Sequence, residues 1–195
     1  MRNVLILGAN GSIAREATRL FLDETDAQLT LFLRDPSRLG HTDPDRARVV
    51  QGDVLDAAAL SEAMAGQDAV YAGLAGDLER MARAIVQAMD DTGLRRLVFI
   101  SSMGIYDEVP GQHYSSVLDP YRNAAEVIEA SDLDYTILRP GWFTGTDEVD
   151  YETTQKGELF KGGVVSRRSV AALVVKLAMS PDLEARSSLG VSKPE

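Results

Sequence analysis

The sequence has no cysteine among its 195 residues, which excludes a disulfide framework, a thiolate zinc site, an iron–sulfur cluster and a thiol nucleophile. Histidine is scarce as well: only His41 and His113 occur, with no carboxylates at ligand spacing around them, so no metal site is expected. No 18 apolar residues run together, which argues against a membrane-spanning helix, and the apolar start Val4–Leu7 is too short for a signal peptide. A cytoplasmic protein is the expectation. Positive charge is in deficit, with 20 Lys+Arg against 30 Asp+Glu and a formal charge of −10, which disfavours a protein that grips nucleic-acid backbone or anionic lipid. A small molecule is the expected partner, with a monomer or homodimer as the assembly.

What remains is ordinary soluble-protein composition, 45% hydrophobic and 26% charged, in a length that suits one domain spanning 1–195. Short apolar runs alternate with stretches of helical period. Strands are predicted at Asn3–Leu7, Gln28–Arg34, Ala47–Gln51, Asp68–Ala72, Arg95–Ser101, Tyr135–Arg139 and, more weakly, Ser187–Val191. The unbroken apolar runs Val4–Leu7 and Leu97–Ile100 suit strands covered on both faces, as in a parallel sheet. Ile13, Ala14, Ala17, Leu20 and Phe21 form one helical stripe, and Leu78, Met81, Ala82, Ile85, Val86 and Met89 a second. A third helix is expected from the cap Ser166, with Val170, Leu173, Val174 and Leu177 inward, until Ser180-Pro181 stops it. This β-α order predicts a doubly wound α/β sheet. The stretches Asp35–Arg46 and Met103–Asp119 are too long for tight turns and are expected to handle a ligand.

The strongest motif is Gly8-Ala9-Asn10-Gly11-Ser12-Ile13-Ala14, where the first strand meets the first helix. Gly8 permits a sharp turn, Gly11 lets a pyrophosphate approach the backbone, and Ala14 allows close helix–strand packing; the N–H groups of Asn10, Ser12 and Ile13 then face the anion. No Gly-Lys-Ser/Thr follows, so a nucleotide-hydrolysing loop is disfavoured. At the end of the second strand, where an acid would hold the ribose hydroxyls of NAD, the chain places Arg34 and then Arg38. A guanidinium fork suits a 2′-phosphate, so NADP(H) is preferred, with NAD(H) the alternative if Asp35 takes the ribose. Asp53 can accept from the adenine amino group with Val54 over the ring, or cap the helix through Leu60. Ala72-Gly73 removes side chains where the cofactor would pass the sheet edge.

Taken in order, Gly8-x-x-Gly11-x-x-Ala14, Arg34 with Pro36-Ser37-Arg38-Leu39, Gly52-Asp53-Val54, Phe99–Gly104, Ala125-Glu126, Leu133–Gly141 and Val165–Ala171 resemble an atypical short-chain dehydrogenase/reductase. The group is the NmrA-like, NAD(P)-binding one related to NAD-dependent epimerase/dehydratases, and the blocks span nearly the whole chain. The resemblance implies a Rossmann-type strand order 3-2-1-4-5-6-7, a cofactor across the carboxyl ends of the strands, and a reduced C-terminal substrate-binding part at 140–165. It also implies that Ser101 contacts cofactor, and that Pro140, Gly141, Trp142 and Phe143 border the nicotinamide and the substrate.

In active members of that superfamily a Tyr moves the proton, a Lys four residues later tunes it, and a Ser orients the carbonyl. Ser101 or Ser102 is a candidate for the Ser. The Tyr-Lys pair is absent: Tyr106, Tyr114 and Tyr121 are followed at plus four by Pro110, Leu118 and Ala125, and all four lysines lie later in the chain. Arg122, four residues before Glu126, stands where many relatives carry Lys, and as a permanently charged group it can bind but not relay a proton. The catalytic candidates are therefore Ser102, Tyr106 and Arg122. The chain reads as an NADPH-dependent reductase of a small uncharged acceptor such as a quinone, flavin or carbonyl compound. The alternative is an NADP(H)-binding redox sensor without turnover, acting through a protein partner. Residues 1–50 are net neutral, 51–100 carry −4, 101–150 carry −8 and 151–195 carry +2, so the substrate half suggests a neutral or cationic acceptor.

Overall fold

The computed structural model describes residues 1–40 and 42–194; His41 lies outside the described residues. The chain runs β1 (Asn3–Leu7), α1 (Ser12–Glu24), β2 (Gln28–Leu33), β3 (Ala47–Gln51), α2 (Ala57–Met64), β4 (Ala69–Ala72), α3 (Leu78–Thr92), β5 (Arg96–Ile100), α4 (Asp119–Glu129) and β6 (Asp134–Pro140), then β7 (Trp142–Thr144), β8 (Glu152–Gln155), β9 (Val164–Ser166), α5 (Arg167–Met179) and β10 (Ser187–Ser192). The main sheet has the order β3-β2-β1-β4-β5-β6-β10-β8, parallel except for β8, which closes the edge antiparallel to β10. The predicted order of seven strands is therefore present, with β10 in seventh place. Strands β7, β8 and β9 were not foreseen, because runs of three and four residues carry no readable period.

Continuous apolar strands produce two cores, one on each face. Val4, Ile6, Leu29, Leu31 and Val98 pack under α1 and α5, whereas Leu5, Leu7, Val70, Leu97 and Phe99 pack under α2, α3 and α4. The expected stripe of α1 is buried throughout; in α3 Met81 and Val86 are only partly buried, and Ala88 takes an inward place. Ser166 caps α5 by accepting from the Ser169 amide, as its sequence suggests. The cap of α2 is Asp56 rather than Asp53: Asp56 accepts from the Ala58 and Ala59 amides, and Asp53 accepts from Leu55 in the turn before it.

The long segment 103–119 is fastened to the sheet by a buried ion pair. Arg139, on β6, is inaccessible to solvent, and its guanidinium meets Glu108 at 2.5 Å while also donating to the Ser188 hydroxyl and carbonyl on β10. Glu108 in turn accepts from the Gly104 and Tyr106 amides, and its carbonyl receives the Phe160 amide. Every charged oxygen and nitrogen of the pair thus has a partner, which offsets the desolvation of both ions. Removing one member strands a buried charge. Arg139→Met is expected to cost about 3–5 kcal/mol in urea unfolding, and pairing it with Glu108→Leu should recover most of that; a loss below ~1 kcal/mol for the single variant would show the pair is not an anchor.

Candidate functional site

Adjacent parallel strands β1 and β4 send their following segments to opposite faces of the sheet, and a cleft of about 490 Å³ opens there at the carboxyl ends. The turn after β1 forms its floor. Gly8 has φ of +79°, a conformation that an L side chain strains to adopt, and any Cβ on it would collide with the Gly73 carbonyl. Helix α1 then starts at Ser12 after the N-cap Gly11, with no side-chain cap and no acid in its first turn; α2, α3 and α5 carry Asp56, Asp77 and Ser166 as caps, and α4, also without a side-chain cap, has Asp119 in its first turn. Amide donors of a helix N-terminus left without a protein acceptor suit an anion.

The turn is tied to the loop beyond β2. Asn10 donates to the Asp35 carbonyl at 2.9 Å, and Arg15 reaches back to Asn10 and across to the Arg38 carbonyl at 2.7 Å. The side chains of Arg34 and Arg38, both exposed, make no hydrogen bond or ion pair among the described residues while lining the cleft. Asp35 is differently placed: its carboxylate accepts from the Ser37 hydroxyl and amide, which hold it below the ordinary carboxylate range. That group serves its own turn. Asp53 and buried Val54 line the same end, beside Gly52.

Toward the other end the wall includes Tyr71, Gly73, Leu74, Met81, Ile100, Ser101, Tyr121 and Phe143, with no charged side chain. Ser101 is buried, its hydroxyl without a partner. Ser102 is not in this wall; its hydroxyl turns to the Met103 carbonyl. Alternation along β7 separates the expected aromatic pair. Phe143 lines the cleft, flanked by the Arg167 guanidinium at 5.3 Å, while Trp142 points to solvent and is 74% exposed. Pro140, Gly141 and Ala72 are buried outside the cleft wall; the Gly141 amide donates to the Val191 carbonyl where the chain leaves the main sheet.

Two catalytic candidates occupy structural positions. The Tyr106 hydroxyl donates to Glu129 at 2.7 Å, with Lys156 over its ring and Arg139 nearby, and burial raises its pKa well above the usual phenol. Arg122 donates to the carbonyls of Ile105, Ser115 and Gly104 and to Asp119, and lies against the Tyr114 ring. It is a clamp on segment 103–119, neither a solvated residue nor a cleft ligand. Tyr121, its neighbour, is the residue that α4 presents to the cleft; helical phase fixed that, and a search for Lys at plus four passed over it. No acid from 101–150 lines the cleft. Glu108, Glu129, Asp147 and Glu148 pair with Arg139, Lys156, Arg168 and Lys193, which removes the charge argument for a cationic acceptor.

A family model described as NAD(P)H-binding matches residues 8–181. The chain belongs to that family. It is an atypical, NmrA-like member of the short-chain dehydrogenase/reductase group. A Rossmann-fold NAD(P)-binding family protein from Shigella flexneri superposes with TM-score 0.90 at 44% identity, covering 100% of this chain and 94% of that one. A short-chain dehydrogenase/reductase from Veillonella parvula DSM 2008, solved in complex with NADP, gives TM-score 0.87 at 28% identity, covering 99% and 95%. Among curated proteins, the uncharacterized sugar epimerase YhfK of Bacillus subtilis (strain 168) is 27% identical over 189 residues, 88% of this chain and 86% of that protein. A nicotinamide cofactor therefore belongs to this fold. Among the described residues, no His, Cys, Asp or Glu cluster suits a metal ion, and no helix is long and apolar enough to cross a membrane.

The clamp role of Arg122 is checkable. Arg122→Ala should lower stability by about 1–3 kcal/mol in thermal or urea unfolding while leaving NADPH affinity within about twofold; weakened binding at unchanged stability would return Arg122 to the cofactor.

Proposed function

We propose that the protein is an NADPH-dependent reductase of a small, uncharged hydride acceptor, a quinone, flavin or carbonyl compound. The observation that carries this reading is the polarity split of one cleft: unpaired Arg34 and Arg38 at one end, an uncapped helix start in the middle, and an uncharged wall at the other. Arg34 and Arg38 receive the 2′-phosphate, and engagement of Asp35 by Ser37 leaves the ribose of NAD without its usual acidic partner. The amides of the Gly8–Ile13 turn hold the diphosphate, with Asn10 and Arg15 fixing its distance from the arginines. Asp53 and Val54 frame the adenine, and Ser101 and Phe143 the nicotinamide. The bound dinucleotide supplies hydride.

The chain's own contribution is placement. Ser101 orients the acceptor oxygen or the carboxamide beside it, and Met81, Leu74, Ile100 and Phe143 exclude water from the transfer. Tyr121 lines the cleft and is the residue placed to supply a proton there, with no Lys four residues on. Acceptors that take their proton from water suit such a site. Segment 140–165 contributes Phe143 to the substrate side, and we read the chain as one domain, with β8 on the edge of the main sheet and β7 paired with β9 beside it. With Tyr106 and Arg122 placed elsewhere, a sensor without turnover is the second reading.

Titration with NADPH and NADH, followed by NADPH oxidation against quinones, flavins and aldehydes, separates the two. Turnover on any of these acceptors supports the reductase; tight NADPH binding without turnover supports the sensor. Arg34→Asp is expected to weaken NADPH on the order of 10–100-fold and NADH far less, as loss of a charge-assisted bond requires. Equal losses would mean that Arg34 does not hold the 2′-phosphate.

A further inference from the structure

The cleft holds a polar group that the reading above leaves without a task. Tyr71, on β4, is 1% exposed, yet it lines the cleft. No described residue hydrogen-bonds its hydroxyl, and burial is the only influence on its acidity. A Cβ built on Gly73 would lie 2.6 Å from that oxygen, so the glycine leaves the hydroxyl uncovered at the cleft floor. A buried phenol of this kind ordinarily finds a partner. One that ends at a cleft without one is arranged for something that enters.

Its place across the sheet names the ligand group. In the order β3-β2-β1-β4-β5, the loops carry Asp53, then Arg34, then the Gly8 turn, then Tyr71 with Gly73, then Ser101. A dinucleotide with adenine at Asp53 and diphosphate at the Gly8 turn places its nicotinamide-side ribose phosphate over β4. We propose that the Tyr71 hydroxyl is a hydrogen-bond donor to that ribose phosphate, a binding residue for the nicotinamide half of the cofactor. The inference rests on the cofactor reading above. Because burial holds the phenol protonated well beyond neutral pH, it donates throughout the working range and takes no part in proton transfer.

A donor with no partner in the protein contributes nothing to the fold and costs something to bury, whereas a donor that meets a ligand contributes to binding. Tyr71→Phe keeps the ring and removes only the hydroxyl. Calorimetric titration of wild type and Tyr71→Phe with NADPH and with 2′,5′-ADP, which lacks the nicotinamide half, tests the assignment, together with the melting temperature of the free protein. The expected result is a roughly tenfold loss of NADPH affinity, the size of one buried hydrogen bond, with 2′,5′-ADP affinity unchanged and the melting temperature equal or higher. Unchanged NADPH affinity would overturn the proposal. So would equal losses for both ligands with a lower melting temperature, which would make the hydroxyl structural. Failure of the wild type to bind either nucleotide would overturn the cofactor reading itself, and this inference with it.

Discussion

The site depends on one close approach of backbone to backbone. At the ends of β1 and β4, Gly8 lies against the carbonyl of Gly73, with no room for a Cβ between them. The contact lets two neighbouring parallel strands release their chains at the same height, one into α1 on one face and the other toward α3 on the opposite face. The cleft is the gap left by that divergence. A side chain at Gly8 would push the turn away from β4, displacing both the start of α1 and the Asn10 bond to the loop that carries Arg34 and Arg38. The Gly8 turn and the arginine pair are thus positioned by a single steric fact.

Some buried polar groups in this molecule are fully partnered and others are not, and one of the unpartnered ones borders the cleft. Arg139 and Glu108 lie deep between β6, β10 and segment 103–119, and each of their charged atoms meets a partner. Such a network specifies one arrangement of the loop and is complete without a ligand. Ser101 is as deeply buried but its hydroxyl lacks a partner among the described residues, and Tyr71, also buried, has its hydroxyl uncovered at the cleft. Natural structures rarely leave such groups unsatisfied except where something else satisfies them. Arg2 Nε, Gln67 Oε1 and Thr154 Oγ1 are also buried without a partner but lie away from the cleft, so it is the missing partner together with the cleft wall that singles out Ser101. Tyr106 and Arg122, chemically the more suggestive residues, belong to the scaffold.

The fold was legible because its main strands are unbroken apolar runs separated by capped or periodic helices; Val4–Leu7 and Leu97–Ile100 can be little else than covered strands. The phosphate turn was legible for a similar reason, since glycine spacing at a strand–helix junction reflects backbone sterics, which are local. Side-chain partners are not local. Nothing near Tyr106 in sequence announces Glu129, and nothing near Arg122 announces that the carbonyls of Gly104 and Ile105 will fold back onto it. Tyr71 was hidden differently: inside the run Ala-Val-Tyr-Ala it reads as core, and only the neighbouring glycine exposes its hydroxyl. Trp142 and Phe143 were grouped as one pair because the short strand that sends them to opposite faces has too few residues to show its period.

The uneven charge along the chain has an explanation in folding rather than in substrate choice. The strongly acidic stretch 101–150 is met by bases from the net-positive stretch that follows it: Lys156 on Glu129, Arg168 on Asp147, Lys193 on Glu148. Each of these exposed pairs is worth about 0–1 kcal/mol, too little to hold the fold. Together they tie the turn after β8, the start of α5 and the chain after β10 to the acidic stretch. Their consumption at the periphery leaves the inner end of the cleft free of charge. An ionic group would have to shed its hydration against a wall that carries no charged side chain of its own, which costs more than the entry of an uncharged one.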